Sequence, residues 1–190
     1  MNLLLLGPQG SGKGTQAARI ASEWGLPHIS TGEMFRDAIA SGSELGRRIK
    51  PIYDAGDLIS DDLTVALIRE RLGQGDSQAG FILDGFPRNL TQARALDTML
   101  NEIGRSLDAI FFFDVPDDVA LERIESRASA EGRTDDTRDA TARRLQIYHE
   151  QTEPVVEHYR ATGKLVPLHA GRSVDEVFAE IADALDQVPA

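Results

Sequence analysis

Apolar residues along this chain fall into short unbroken runs, separated by stretches with helical spacing. Leu3 to Leu6, Phe81 to Leu83 and Ala109 to Phe113 contain no polar alternation. Such runs predict strands buried on both faces. With two shorter segments they give five strands, over 2–6, 26–29, 80–84, 109–115 and 165–168. Helical periodicity predicts helices over 13–24, 30–40, 44–54, 61–73, 90–103, 117–128 and 174–185, with a long helix starting near 136. In the first helix Ala17, Ala18, Ile20 and Ala21 are expected to face inward. In the fourth, Leu63, Leu67, Ile68 and Leu72 are expected to share one face. Pro154 is expected to kink or split the long helix. Alternating strands and helices predict an α/β domain, a parallel sheet with helices on both faces. The helices crowded between the second and third strands read as an inserted lobe.

The first turn changes the picture most. Gly7-Pro8-Gln9-Gly10-Ser11-Gly12-Lys13-Gly14-Thr15 links the first strand to the first helix. Its glycines let backbone N–H groups curl into a concave nest, and a helix N-terminus follows. Both features attract phosphate. Lys13 can reach the outer phosphates of a bound group, and a hydroxyl beyond it can face a magnesium shell. The spacing from Gly7 to Gly12-Lys13 is that of a P-loop, with Gly14 where Ser or Thr is usual and Thr15 one place later.

Composition narrows the alternatives. The net charge of −11 argues against broad binding to nucleic acid or to a membrane surface. No apolar stretch is long enough to span a bilayer, and Met1-Asn2-Leu3 has no basic leader character. A cytoplasmic location is the expectation. The absence of cysteine rules out disulfides, thiolate zinc sites and cysteine nucleophiles. In so acidic a chain, Arg123, Arg127, Arg133, Arg138, Arg143 and Arg144 within one short stretch are notable. Arginine supplies a planar fork suited to phosphate. Arg123 and Arg127 share a helix face. Arg138 and Arg143 are expected to make only exposed pairs within their helix.

Two further residues belong to the strand edge where ligands of such sheets bind. Asp84 ends the third strand and can orient water on Mg²⁺ beside the loop. Arg88 follows the turn Gly85-Phe86-Pro87 and would project over the same edge, toward a second phosphate or developing charge. Thr31 and Arg36, and the turn Gly56-Asp57-Leu58-Ile59, are weak signals by themselves. The four histidines have no metal-like spacing and read as structural or exposed.

Taken together these stretches resemble the adenylate kinases, of the nucleoside monophosphate kinase family, in a short-lid form. The resemblance rests on the loop 7–15, Ser30 to Arg36, Gly56 to Ile59, Phe81 to Asn89 with Gln92, Asp114 to Pro116, Glu122-Arg123 with Arg127, Gly132 to Asp136, and Arg143 to Leu145. It implies a P-loop NTPase-type five-stranded parallel sheet with a core at 1–29, 60–125 and 137–190. It also implies an NMP-binding lobe at 30–59 and a short lid at 126–136. The implied reaction is Mg·ATP + AMP ⇌ 2 ADP, by a monomer.

The resemblance further implies that Gly10, Ser11, Gly12, Lys13, Gly14, Thr15, Arg127 and Arg172 contact ATP. Thr31, Arg36, Asp57, Leu58, Ile59, Gly85, Phe86, Pro87, Arg88 and Gln92 would hold AMP, together with Arg133 and Arg144. Lys13, Arg88, Arg123, Arg133 and Arg144 would act on the transferring group, and Asp84 on Mg²⁺ through water. No structural zinc is expected, because only 128–132 separate Arg127 from Arg133. His28 stands where this family often has Gln. Two rivals remain at this point. A UMP/CMP-type kinase shares the Gly85-Phe86-Pro87-Arg88-Asn89 turn, though Thr31 and Gln92 favour AMP. A regulatory nucleotide-binding protein lacking transferase activity is disfavoured by the set Lys13, Asp84, Arg88 and Arg123.

Overall fold

In the computed structural model, which describes residues 1–131 and 135–188, five strands form one sheet. They are β1 (Asn2–Leu6), β2 (His28–Ser30), β3 (Phe81–Asp84), β4 (Ala109–Asp114) and β5 (Leu165–His169). All pairings are parallel, in the order β2-β3-β1-β4-β5. Central β1 places Leu5 opposite Asp84 of β3 and opposite Phe111 of β4. The unbroken Leu3 to Leu6 run has its predicted cause. Leu4 and Leu6 enter one core cluster and Leu3 and Leu5 the other, across the sheet.

The helices are α1 (Lys13–Trp24), α2 (Thr31–Ala40), α3 (Glu44–Asp54), α4 (Asp61–Leu72), α5 (Leu90–Glu102), α6 (Asp117–Glu131), α7 (Arg138–Ile147), α8 (Glu153–Arg160) and α9 (Val174–Leu185). Helices α4, α5 and α8 supply Ile68, Leu96 and Val156 to one sheet face. Helices α1, α6 and α9 supply Ile20, Ala120 and Ile181 to the other. Ser173 and Glu176 form a capping box at the start of α9, which fixes that boundary.

Two local expectations are corrected, whereas the long helix divides just ahead of Pro154, as expected. A π-helical turn, Tyr148–Thr152, separates α7 from α8, and Pro154 occupies the first turn of α8, where a missing N–H costs nothing. Helix α4 does not present a single apolar face. Leu63 and Leu67 pack on a third cluster of Phe35, Ile49 and Ile59, whereas Ile68 and Leu72 join the sheet core. In α1, Ala18 is exposed and Gln16 is buried instead, donating from Nε2 to the Val174 carbonyl at 2.8 Å.

The third cluster belongs to α2, α3 and the segment leading to α4, so this insertion has a small core of its own. Among the described residues no helix is long and apolar enough to cross a membrane.

Candidate active site

Because every strand runs the same way, β1, β2 and β3 end at one edge, and their following segments converge there. A cleft of about 750 Å³ opens at that edge. The phosphate-type loop lines one end, and Arg36, Tyr53, Asp57 and Leu58 line the other.

The loop takes the shape expected of a nest. Gly10 and Gly12 have φ of +81° and +93°, in the left-handed region that favours glycine. A Cβ at Gly10 would also stand 2.3 Å from the Ala120 carbonyl oxygen, so the loop packs directly on α6. Ser11 is buried, while Gly14 and Thr15 are exposed to the cleft. Lys13 Nζ folds back on the loop, donating to the Gly7 and Pro8 carbonyls at 2.8 and 2.7 Å and to Ser11 Oγ at 3.2 Å. Burial lowers the Lys13 ammonium to about 8, against the opposing pull of the Asp84 carboxylate.

Asp84 sits beside the loop, as its strand-end position predicts. Its Oδ2 lies 3.3 Å from His28 Nε2, at the start of β2. Burial would raise the Asp84 carboxyl, but the His28 hydrogen bond and the charges of Lys13 and Arg88 outweigh it and hold the group below its usual range. His28 is therefore part of the cleft, where sequence alone left its effect open.

The acceptor end is held by hydrogen bonds between β3, its turn and the inserted helices. Thr31 Oγ1 donates to the Gly85 carbonyl at 2.8 Å, and Arg88 Nε donates to the same carbonyl at 2.8 Å. Ser30 caps α2, accepting from the Glu33 N–H. Gln92 Oε1 accepts from the Arg88 backbone N–H, and Gln92 Nε2 donates to Asp61 Oδ1, each at 2.8 Å. Thr152 Oγ1 donates to the Arg88 carbonyl at 2.8 Å. Burial lowers the Arg88 guanidinium from its usual range, partly offset by Tyr53 and Asp84. Arg36 Nη1 donates to the phenol oxygen of Tyr53 at 3.0 Å. Thr31, Leu58, Ile59, Gly85 and Gln92 line a small adjoining pocket together with Phe35, Tyr53 and Thr64. Phe86 is instead fully buried beneath the turn, in the sheet core, and Pro87 lines the cleft.

The arginines converge between the two ends, and two aspartates organise them. The Asp136 side chain has no exposure. Its Oδ2 accepts from Arg127 Nε and Nη2 at 3.1 and 2.7 Å, and its Oδ1 from Arg144 Nη1 at 3.1 Å. Arg144 also donates to the Asp135 carbonyl and to Asp135 Oδ2. Arg123 Nη1 donates to the Ala170 carbonyl at 2.8 Å, which turns it toward the segment after β5. Arg172 lines the cleft from that segment while pairing with Glu180 of α9. Arg133 lies outside the described residues.

Arg143 corrects an expectation. It does not pair only within its helix. Its Nε donates to Asp57 Oδ1 at 2.7 Å, tying α7 to the turn after α3. Gly56 explains why the two come so close. Its φ is +80°, and a Cβ there would meet the Ala140 carbonyl at 2.5 Å.

Sequence reasoning missed the roles of Tyr53 and Gln9. Gln9 lies in the loop and donates from Nε2 to Asp136 Oδ1 at 2.7 Å. No local pattern signals either contact, because each partner is remote or on a different helix.

The adenylate kinase family model matches residues 5–164. The adenylate kinase of Stenotrophomonas maltophilia (strain R551-3) is 49% identical over 185 residues, covering 97% of this chain and 99% of the relative. The adenylate kinase of Xanthomonas campestris pv. campestris (strain 8004) shows the same identity and coverage. The match takes in the loop, the acceptor turn and the paired arginines alike, and with relatives at nearly half identity end to end the chain belongs to the adenylate kinase family.

Proposed function

We propose that this chain catalyses reversible phosphoryl transfer between Mg·ATP and AMP, giving two ADP. The observation that carries the reading is a cleft with a phosphate nest at one end, a small pocket adjoining the other, and Arg88, Arg123, Arg127 and Arg144 along it. Phosphoryl transfer asks the protein for alignment and charge neutralisation rather than a covalent group. Two polyanions in line need several cations between them, and this cleft supplies them.

In this reading Gly10 to Thr15 cradle the ATP phosphates, with Lys13 leaving its loop carbonyls for the β and γ oxygens. Arg127 and Arg172 add to the ATP side. Thr31, Arg36, Asp57 to Ile59, Gly85 to Arg88 and Gln92 form the AMP side. Arg88, Arg123, Arg133 and Arg144 stabilise the transferring group. Arg127 and Arg144 are held in place by Asp135 and Asp136, so their remaining N–H groups are positioned for incoming phosphate oxygens while the buried carboxylates stay paired. An oxygen of the AMP phosphate attacks the γ-phosphorus, the bond to the β-bridging oxygen breaks, and ADP leaves from each side. Residues 30–59 serve as the AMP lobe and 126–136 as a short lid, closing to exclude water.

The residues fit Mg²⁺. Among the described residues no three His, Cys, Asp or Glu side chains form a metal cage. Asp84 alone, held anionic, matches an ion bound mainly by substrate phosphates and water. When bound, Mg²⁺ neutralises charge on the β and γ phosphates. Asp84 orients its waters, and His28 holds the Asp84 carboxylate in place.

ADP formation from Mg·ATP with AMP, CMP, UMP, GMP or no acceptor tests the reading. Strong turnover with AMP alone supports it. Preference for CMP or UMP would replace the acceptor, and ATP binding without transfer to any acceptor would overturn the reaction.

A further inference from the structure

Tyr53, in the last turn of α3, touches more of the acceptor machinery than any role so far assigned requires. Its backbone carbonyl accepts from Arg144 Nη2 at 3.1 Å, and the Arg144 guanidinium lies 5.1 Å from the centre of its ring. The ring also meets Phe35 edge-on, at 6.4 Å between centroids. Its phenol oxygen accepts from Arg36 Nη1 at 3.0 Å. The side chain lines both the main cleft and the small acceptor pocket. It lies close enough to Arg88 to oppose the effect of burial on that guanidinium.

A phenol has one O–H to donate as well as lone pairs to accept with. At Tyr53 the oxygen accepts from Arg36, and its O–H donates to no atom of the described residues. What that proton can meet is set by the neighbours. Arg36, Arg88 and Arg144 are donors without acceptors. A partner entering among them must be rich in acceptor oxygens and negatively charged, which describes a phosphate monoester.

We propose that Tyr53 is a phosphate-binding residue of the acceptor subsite, its phenol donating to a phosphate oxygen of the bound nucleoside monophosphate while Arg36 holds the phenol from behind. The inference rests on the AMP reading of this pocket. The same oxyanion then receives a neutral donor among its cationic ones. The neutral hydrogen bond adds direction without adding charge repulsion between the arginines.

Calorimetric titration of AMP and of adenosine into the wild-type protein and Tyr53→Phe tests it. Tyr53→Phe keeps the ring, its Phe35 contact and its place under Arg144, and removes only the hydroxyl. The expected result is an AMP affinity lower by roughly 10-fold or more, with adenosine affinity unchanged. Equal AMP affinity in the two proteins would overturn the inference, and so would a parallel loss for adenosine. Tyr53→Phe in an Arg36→Gln background separates direct contact from positioning. A further loss of AMP affinity supports direct donation, and no further loss overturns it. If wild-type protein binds AMP no better than adenosine, the AMP reading fails and the inference falls with it. If wild-type discriminates and Tyr53→Phe discriminates equally, only the inference fails.

Discussion

Gln9 Nε2 donates to Asp136 Oδ1 at 2.7 Å, joining the phosphate loop to the carboxylate that holds Arg127 and Arg144. The amide must face this way, because only its nitrogen can donate to a carboxylate. Gln9 Oε1 is thereby left buried without a partner among the described residues. Asp136 is the hub on which two guanidiniums and the loop meet, and its side chain is fully buried. Removing it strands the Arg127 guanidinium and loosens Arg144, which keeps Asp135. Asp136→Ala is expected to lower stability by about 3 kcal/mol, as for a broken buried pair. Denaturant unfolding measures this, and a loss below about 1 kcal/mol would show that Asp136 is not the hub.

The contact of Gly56 with the Ala140 carbonyl joins the inserted helices to α7. Gly56→Ala combines a left-handed φ with a backbone clash. It is expected to cost about 2 kcal/mol and to raise the KM for AMP, because Asp57 and Leu58 would move with it. The neighbouring Arg143–Asp57 pair is exposed on both sides, so Arg143→Ala should cost under about 1 kcal/mol. Equal effects of the two variants on melting and on KM would contradict this ranking.

Lys13 gives a proton signature. Burial brings its ammonium down to about 8, so above that pH much of the nucleotide-free protein carries a neutral amine. Bound polyphosphate favours the charged form, and ATP binding must then draw in a proton. Calorimetry in two buffers of different ionisation enthalpy should give uptake of more than about half a proton near pH 8.5, and less near pH 7. Uptake that does not rise with pH would contradict the burial of Lys13.

His149 predicts a small pH effect on stability. Its hydrogen bond with Glu153 raises the imidazole from its ordinary value, burial opposes this, and Asp117 adds to the rise. A raised folded value means stabilisation that is fully present below about pH 6.5, the unfolded value, and lost as pH climbs through the folded value. The ring is 43% exposed, so the effect is under about 1 kcal/mol. The wild-type fall in denaturation midpoint between about pH 6 and pH 8 should shrink in His149→Gln. An unchanged fall would assign it elsewhere.

Much of the fold was legible because its signals are local. The Leu3 to Leu6 run needs no partner to declare a strand covered on both faces, and its leucines do divide between two cores. Val174 to Leu185 reads as a helix from its own periodicity, and the structure adds a Ser173 cap at its start. The loop glycines announce a nest through spacing alone. What could not be read depends on distant pairing. Leu63 and Ile68 follow one local pattern yet enter different cores, because the inserted helices supply a second surface. Arg143 reads as a helix-face charge until Asp57, 86 residues away, comes beside it. Tyr53 carries no motif, and only the fold brings Arg36 and Arg144 to its two ends.

The most direct test of the account follows the phosphoryl group itself. With ATP labelled on its γ-phosphate, the account predicts label in the β-phosphate of the ADP formed from AMP, with transfer absent when AMP is omitted. Label released as inorganic phosphate at the same rate with and without AMP would contradict it, because the cleft would then be passing the group to water.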